Sequence, residues 1–243
     1  MTGRVDIQAL QRFYAAPLGA AAARMIERRL KALWPHAGGL DVLGIGYATS
    51  FLERLRADAR RTVALMPAAQ GACRWPDAGN TLAALGDESR LPFADAVFDR
   101  VLVVHGLEEA ESPRAFLREI WRVTAPEGRL VVVAANRLGL WSHTDATPFG
   151  HGRPYTKGQL GSLLADCLFQ PCASARALYL APARWMAGMA TPAERVGELL
   201  FPAFGGLVLM EAVKRLYAEP NAGAKQEAAP AVQPAGALPA APA

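Results

Sequence analysis

The run Gly86-Asp87-Glu88-Ser89-Arg90-Leu91-Pro92-Phe93-Ala94-Asp95-Ala96-Val97-Phe98-Asp99-Arg100-Val101 decides how the chain is read. A polar turn leads into Val101-Leu102-Val103-Val104, an apolar stretch of the length of a strand buried on both faces. Pro113–Val123 follows as a helix, with Ser112 as N-cap and Pro113 in the first turn. Pro126-Glu127-Gly128 reads as a turn and Arg129–Ala135 as the next strand. Upstream, Leu40–Ile45 and Arg61–Met66 read as strands around an amphipathic Ser50–Arg60, and Thr81–Leu85 as a weaker strand. Residues 7–34 look helical, interrupted at Pro17. Downstream come a helix over Thr156–Cys167 and strands over Ala175–Leu180 and from Gly206 to about Leu216. Apolar strands alternating with helices predict an α/β fold with a mainly parallel sheet covered on both faces.

The composition agrees with one domain of the larger kind. The chain has 243 residues, 52% hydrophobic and 20% charged, which excludes disorder throughout. Mean hydropathy is slightly positive at +0.12. No stretch reaches the roughly 18 apolar residues of a spanning helix, and much of the excess is alanine. The net charge is +4. The clusters Arg24/Arg28/Arg29 and Arg54/Arg56/Arg60/Arg61 read as solvated helix faces, and no aromatics interleave with them to make a nucleic-acid platform. Three cysteines, with no CxxC pair and no histidine at ligand spacing, point to a reducing compartment and to no metal site. The N-terminal residues lack the apolar stretch of a signal peptide, so a cytoplasmic location is expected. The expected division is an N-terminal helical segment over 1–36, an α/β domain over 37–218 and a disordered Ala/Pro-rich tail over 219–243.

The Gly86–Val101 run resembles a signature of class I S-adenosylmethionine-dependent methyltransferases of the type-11 branch: the acid after the third strand, then an LPF-x-D-x-x-FD-x-V run. Phe116–Val123 resembles that family's helix after strand four. Pro126-Glu127-Gly128-Arg129-Leu130 resembles its turn into strand five, with Ala125 and Glu127 as departures. The resemblance implies a Rossmann-like methyltransferase sandwich, with helices on both faces of a mostly parallel seven-stranded sheet. It also implies S-adenosylmethionine as cofactor.

In such sheets ligands bind beyond the carboxyl ends of the strands. The resemblance implies cofactor-facing roles for Gly44, Gly46, Tyr47, Met66, Asp87, Glu88 and His105. Asp87 matches the acid that bonds the adenine amino group. Gly44 and Met66 stand where the family usually carries carboxylates, and a thioether cannot accept a ribose diol's hydrogen bonds as a carboxylate does. Losing a charge-assisted bond costs about 1.5–3 kcal/mol. The stretch Asn136–Thr156 is long, aromatic and rich in glycine and proline, which suits either a loop that lines a substrate pocket or a packed cover for the sheet end. From it come His151, His143 and Tyr155 as candidate catalytic groups and Asn136, Trp141, Phe149 and Arg153 as candidate acceptor-binding groups. Trp34, Trp121 and Trp185 read as packing residues, and Glu211 as a buried carboxylate needing a lysine or arginine partner. The functional expectation is a methyltransferase for a small-molecule or protein acceptor, without a membrane span. The alternative is a methyltransferase-like scaffold that binds or regulates without catalysis.

Overall fold

The apolar run after Asp99 becomes the middle of a sheet. The computed structural model describes residues 4–215. Its strands are β1 (Asp41–Gly46), β2 (Arg61–Pro67), β3 (Ala83–Gly86), β4 (Phe98–Val104), β5 (Thr124–Ala135), β6 (Phe169–Ala177) and β7 (Leu207–Lys214), in the order β3-β2-β1-β4-β5-β7-β6. All neighbours pair in parallel except β7, which runs antiparallel to both β5 and β6. The sheet therefore has the mostly parallel, seven-stranded form expected. Strand order reverses between β1 and β4, and a crevice at their carboxyl ends is the place for a ligand.

The helices are α1 (Ile7–Ala15), α2 (Pro17–Leu33), α3 (Thr49–Arg56), α4 (Pro113–Val123), α5 (Lys157–Asp166) and α6 (Ala190–Leu200). Pro17 separates α1 from α2 because its ring fits a first helical turn but not an interior one. Ser112 caps α4 through Ala115 N–H, and Thr156 closes a reciprocal capping box with Gln159 on α5. Strand side chains alternate between two cores. Leu102 and Val104 of β4 face Ile26, Phe51 and Leu52 of α2 and α3, whereas Val101 and Val103 face Phe116, Ile120 and Leu164 of α4 and α5.

Some boundaries differ from the sequence reading. β5 starts at Thr124, which pairs with Phe98, and the expected Pro126–Gly128 turn is an irregularity inside the strand, with Glu127 at φ 58°. β6 starts at Phe169 rather than Ala175; as an edge strand it tolerates Pro171 at a register shift. α6 lies where no element was expected. Trp185, expected to pack, is 75% exposed. Trp34 does pack: it is buried, and its Nε1 donates to Glu211 Oε1 at 2.8 Å. Arg129 supplies the cation that Glu211 needs, at 3.0 Å. The expected tail over 219–243 lies outside the described residues.

Candidate functional site

At the carboxyl end of the sheet two glycines are required by packing. Gly46 sits at φ 78°, and a Cβ there would overlap the Val104 carbonyl oxygen of β4. A Cβ at Gly44 would meet Leu52 Cδ1 at 2.5 Å and Ala48 at 2.8 Å. The space that a carboxylate would need at Gly44 is thus filled by α3. Met66 is fully buried, and its sulfur accepts the Cys73 N–H at 3.2 Å.

Beyond β1 and β4 stands an aromatic cluster. Tyr47 is buried, and its N–H donates to the Val104 carbonyl at 2.8 Å. Its ring stacks on Tyr14 of α1, with centroids 5.2 Å apart. Tyr14 OH lies 2.8 Å from His105 Nε2, while Gln70 Nε2 donates to the His105 carbonyl at 2.9 Å. His105 adopts φ 51° directly after β4 and packs on Phe149 at 4.5 Å. Burial depresses its imidazole to about 3, so the ring is neutral. Three residues on, Glu108 is buried as well. One of its oxygens accepts Ala135 N–H at 3.0 Å and the other has no partner; burial pushes the carboxyl up to about 7.

Beyond β2 and β3 the surface opens. A cleft of about 630 Å³ is bordered by Arg4, Pro67, Asp87, Glu88, Glu109 and Ser112. Asp87 is exposed; its Oδ1 accepts from Ser89 N–H at 2.7 Å and Ser89 Oγ at 2.8 Å, and these bonds hold its carboxyl below the usual range. Glu88 pairs with Arg4 at 2.5 Å, and Val5 N–H donates to Glu109 at 2.9 Å. The segment before α1 therefore crosses the cleft's rim.

The Asn136–Thr156 loop divides its labour. Asn136 is buried, and its amide donates to the carbonyls of Ala203 and Gly205. Trp141 is fully buried and donates to Leu180 O at 2.8 Å. Phe149 packs edge-on to Phe13 and Trp141. These three hold the loop in place. Arg153 is exposed, and its backbone N–H donates to Glu108 O. His143 is exposed beside Ser142 Oγ at 2.9 Å. Tyr155 is half-buried on the α4/α5 face of the sheet, and burial raises its phenol pKa. His151 lines a second cavity, of about 730 Å³, between α1 and the loop. Its walls include Val5, Arg12, Phe13, Asp145 and Thr147, and Thr147 Oγ1 is buried without a partner. His151, His143 and Tyr155 thus stand in three different surroundings. Among the described residues no cluster of His, Cys, Asp and Glu could hold a metal ion.

Sequence reasoning did not single out Tyr14, Gln70, Glu108, Arg4 or Thr147. Gln70 stands alone among small apolar residues, a signal that does not say what it meets, whereas Glu108 lies in an acidic stretch with Glu109 and Glu111 and carries no signal of burial.

The profile of the type-11 methyltransferase family, described as a methyltransferase domain, matches residues 28–132 of this chain. Among curated proteins, the chain is 57% identical over 47 residues to the demethylmenaquinone methyltransferase of Mycolicibacterium paratuberculosis, covering 19% of this chain and 20% of that protein. The same enzyme of Mycobacterium tuberculosis H37Rv is 53% identical over a stretch of the same length, again 20% of its own length. The chain thus matches about a fifth of the length of these relatives. Among solved structures, a SAM-dependent methyltransferase of Thermotoga maritima shares the fold at TM-score 0.62 and 15% identity, covering 86% of this chain and 96% of that one. The (4+2)-cyclase SpnF shares it at TM-score 0.53 and 19% identity, covering 80% and 81%. At such identities the agreement is one of fold, and SpnF illustrates that the fold carries other chemistry.

Proposed function

We propose that the protein is an S-adenosylmethionine-dependent methyltransferase acting on a small acceptor with an apolar body. The observation that carries this reading is an open, carboxylate-bordered cleft over β2 and β3 beside an apolar cavity under the loop after β5. The adenosine end of the cofactor fits that cleft, where the Asp87 oxygen not engaged by Ser89 is free to accept the adenine amino group. The methionine end belongs beyond β1 and β4, where Tyr14, Tyr47 and His105 are packed together, so it fits only after α1 withdraws. Bound there, the cofactor supplies a methyl group on a sulfonium. The chain's part is to hold the acceptor near that methyl and to keep water out, which supplies much of the rate in such transfers. His151, intermediate in exposure and on the cavity wall, is placed to take a proton from an acceptor that must lose one.

The apolar lining of the cavity and the demethylmenaquinone in the name of the matched relatives both favour a small molecule over a protein side chain. The three free cysteines favour a reducing compartment, the cytoplasm. No helix among the described residues is long and apolar enough to cross a membrane.

A second reading, a binding scaffold without catalysis, is favoured by the Leu52 packing at Gly44 and by the Cys73 bond to Met66. Calorimetric titration with S-adenosylmethionine and S-adenosylhomocysteine separates the two. Micromolar binding that Asp87→Ala weakens is expected. No heat at millimolar ligand sinks the enzyme and leaves the scaffold.

A further inference from the structure

Helix α6 is built inside out. Glu194 is 2% exposed, and its carboxylate accepts the N–H groups of Leu178 at 3.0 Å and Tyr179 at 2.7 Å. Gly197 lies against the Tyr179 ring. Glu198 accepts two bonds from Arg29 of α2, at 2.9 and 2.6 Å. Glu194 therefore turns into the protein and Glu198 reaches along the surface to α2, while Val196, Leu199 and Leu200 turn outward, Leu199 at 81% exposure. A surface helix ordinarily does the reverse.

The apolar face does not stop at the helix end. Phe201 and Phe204 continue it, both exposed. It reaches exposed Leu138 and Leu140 because Gly139 packs on the backbone of Gly205 and Gly206. Asn136 fixes this junction through its bonds to Ala203 and Gly205. Trp185, on the turn before α6, is also exposed.

Among the described residues around this face the cations outweigh the one partly exposed acid, Glu198. Arg29 neutralises Glu198, and Arg28 lies close enough to act on the same carboxylate. At the other end Arg137 is exposed next to Leu138, and Arg176 donates to the Pro202 carbonyl at 2.9 Å.

We propose that this face docks on an anionic lipid surface. A two-fold pairing with a second copy would set the same arginines against each other, which a self-complementary interface avoids. An anionic bilayer instead attracts them. It also accepts protruding leucine and aromatic side chains without needing a shape-matched partner, and tryptophan favours the headgroup level. The inference is independent of the proposed reaction.

The test is co-sedimentation of the full chain with phosphatidylcholine vesicles, with and without phosphatidylglycerol. Binding to the anionic vesicles is expected, weakening as salt rises. A blue shift of tryptophan emission should accompany it and should vanish in Trp185→Phe. The pair Leu199→Ser and Phe201→Ser removes only exposed groups, so circular dichroism should be unchanged while vesicle binding falls about tenfold or more. Arg137→Glu should weaken binding to anionic vesicles. Absence of binding, or binding that the serine pair leaves unchanged, overturns the proposal. Sedimentation velocity supplies the other arm: self-association that the same pair abolishes, with no vesicle binding, assigns the face to a second copy instead.

Discussion

The two halves of the sheet's carboxyl end are made of opposite materials. Over β2 and β3 the ground is open, lined by Asp87, Glu88 and Glu109, with Asp87 in water. Over β1 and β4 it is closed by Tyr14, Tyr47, His105 and Phe149, all buried. Ionised carboxylates stay hydrated or paired because bare burial is costly, so the acidic half remains open. Aromatic rings gain by leaving water, so the other half folds its own helix onto itself. One segment joins the halves: Arg4 and Val5 bond the acids of the cleft, while α1 behind them carries Tyr14 into the aromatic half.

The largest way to break the closed half is from above. Trp141→Ala would leave a cavity under the loop and the Leu180 carbonyl without its donor. The expected loss is about 3–5 kcal/mol in a denaturant titration. A loss below about 1 kcal/mol would mean that the loop is not anchored there.

The buried titratable pair of this half gives the next effect. Glu108 has an ordinary value of 4.5 and a folded value of about 7. Its contribution to stability is full below 4.5 and is lost as pH rises through about 7. His105 goes the other way, from 6.5 to about 3: its contribution is full above 6.5 and is lost as pH falls toward 3. Between about pH 4.5 and 6.5 the slopes oppose each other. In Glu108→Gln only the histidine slope remains, so stability should rise with pH there by up to about 1.4 kcal/mol per unit. A variant profile as flat as the parent's would show that His105 is not held neutral.

How far the sequence could be read follows the same division. α4 appears over its expected residues because Ser112, Pro113 and its apolar stripe are local signals. That Asp87 follows the third strand was legible because the acid sits inside a contiguous signature. Tyr14 and His105 meet across 91 positions, and neither residue alone announces the other. Leu52 is near Gly44 in sequence, yet that it fills the space beside Gly44 depends on how α3 folds back over β1, which no local signal gives. Around α6 the sequence misleads differently: Trp185 reads as a packing residue but is exposed, whereas Glu194 takes an inward place by bonding two backbone N–H groups.

The open half is sharpened by a smaller change. Asp87→Asn keeps an oxygen for Ser89 but can turn an amide donor toward an adenine amino group, which is also a donor. Affinity for S-adenosylhomocysteine should fall about tenfold or more, as expected from the 1.5–3 kcal/mol of a charge-assisted bond. The free energy of unfolding should not change by more than about 0.5 kcal/mol, because the side chain is on the surface. A large stability loss would make Asp87 a structural turn residue.

The smallest effect tests whether the two halves oppose each other. Tyr14→Phe keeps the ring stacked on Tyr47 and removes only the hydroxyl that meets His105 Nε2. Stability should drop by about 1 kcal/mol. If α1 must leave before a ligand reaches the β1 end, the same change raises the share of chains in which it has left. Apparent affinity scales with that share, so 1 kcal/mol taken from the closed arrangement should tighten S-adenosylhomocysteine binding about fivefold. Tighter binding with lower stability ties α1 to the site as a cover. Equal affinity with lower stability would make Tyr14 a core residue with no part in admission, and the closed half would then be a permanent wall.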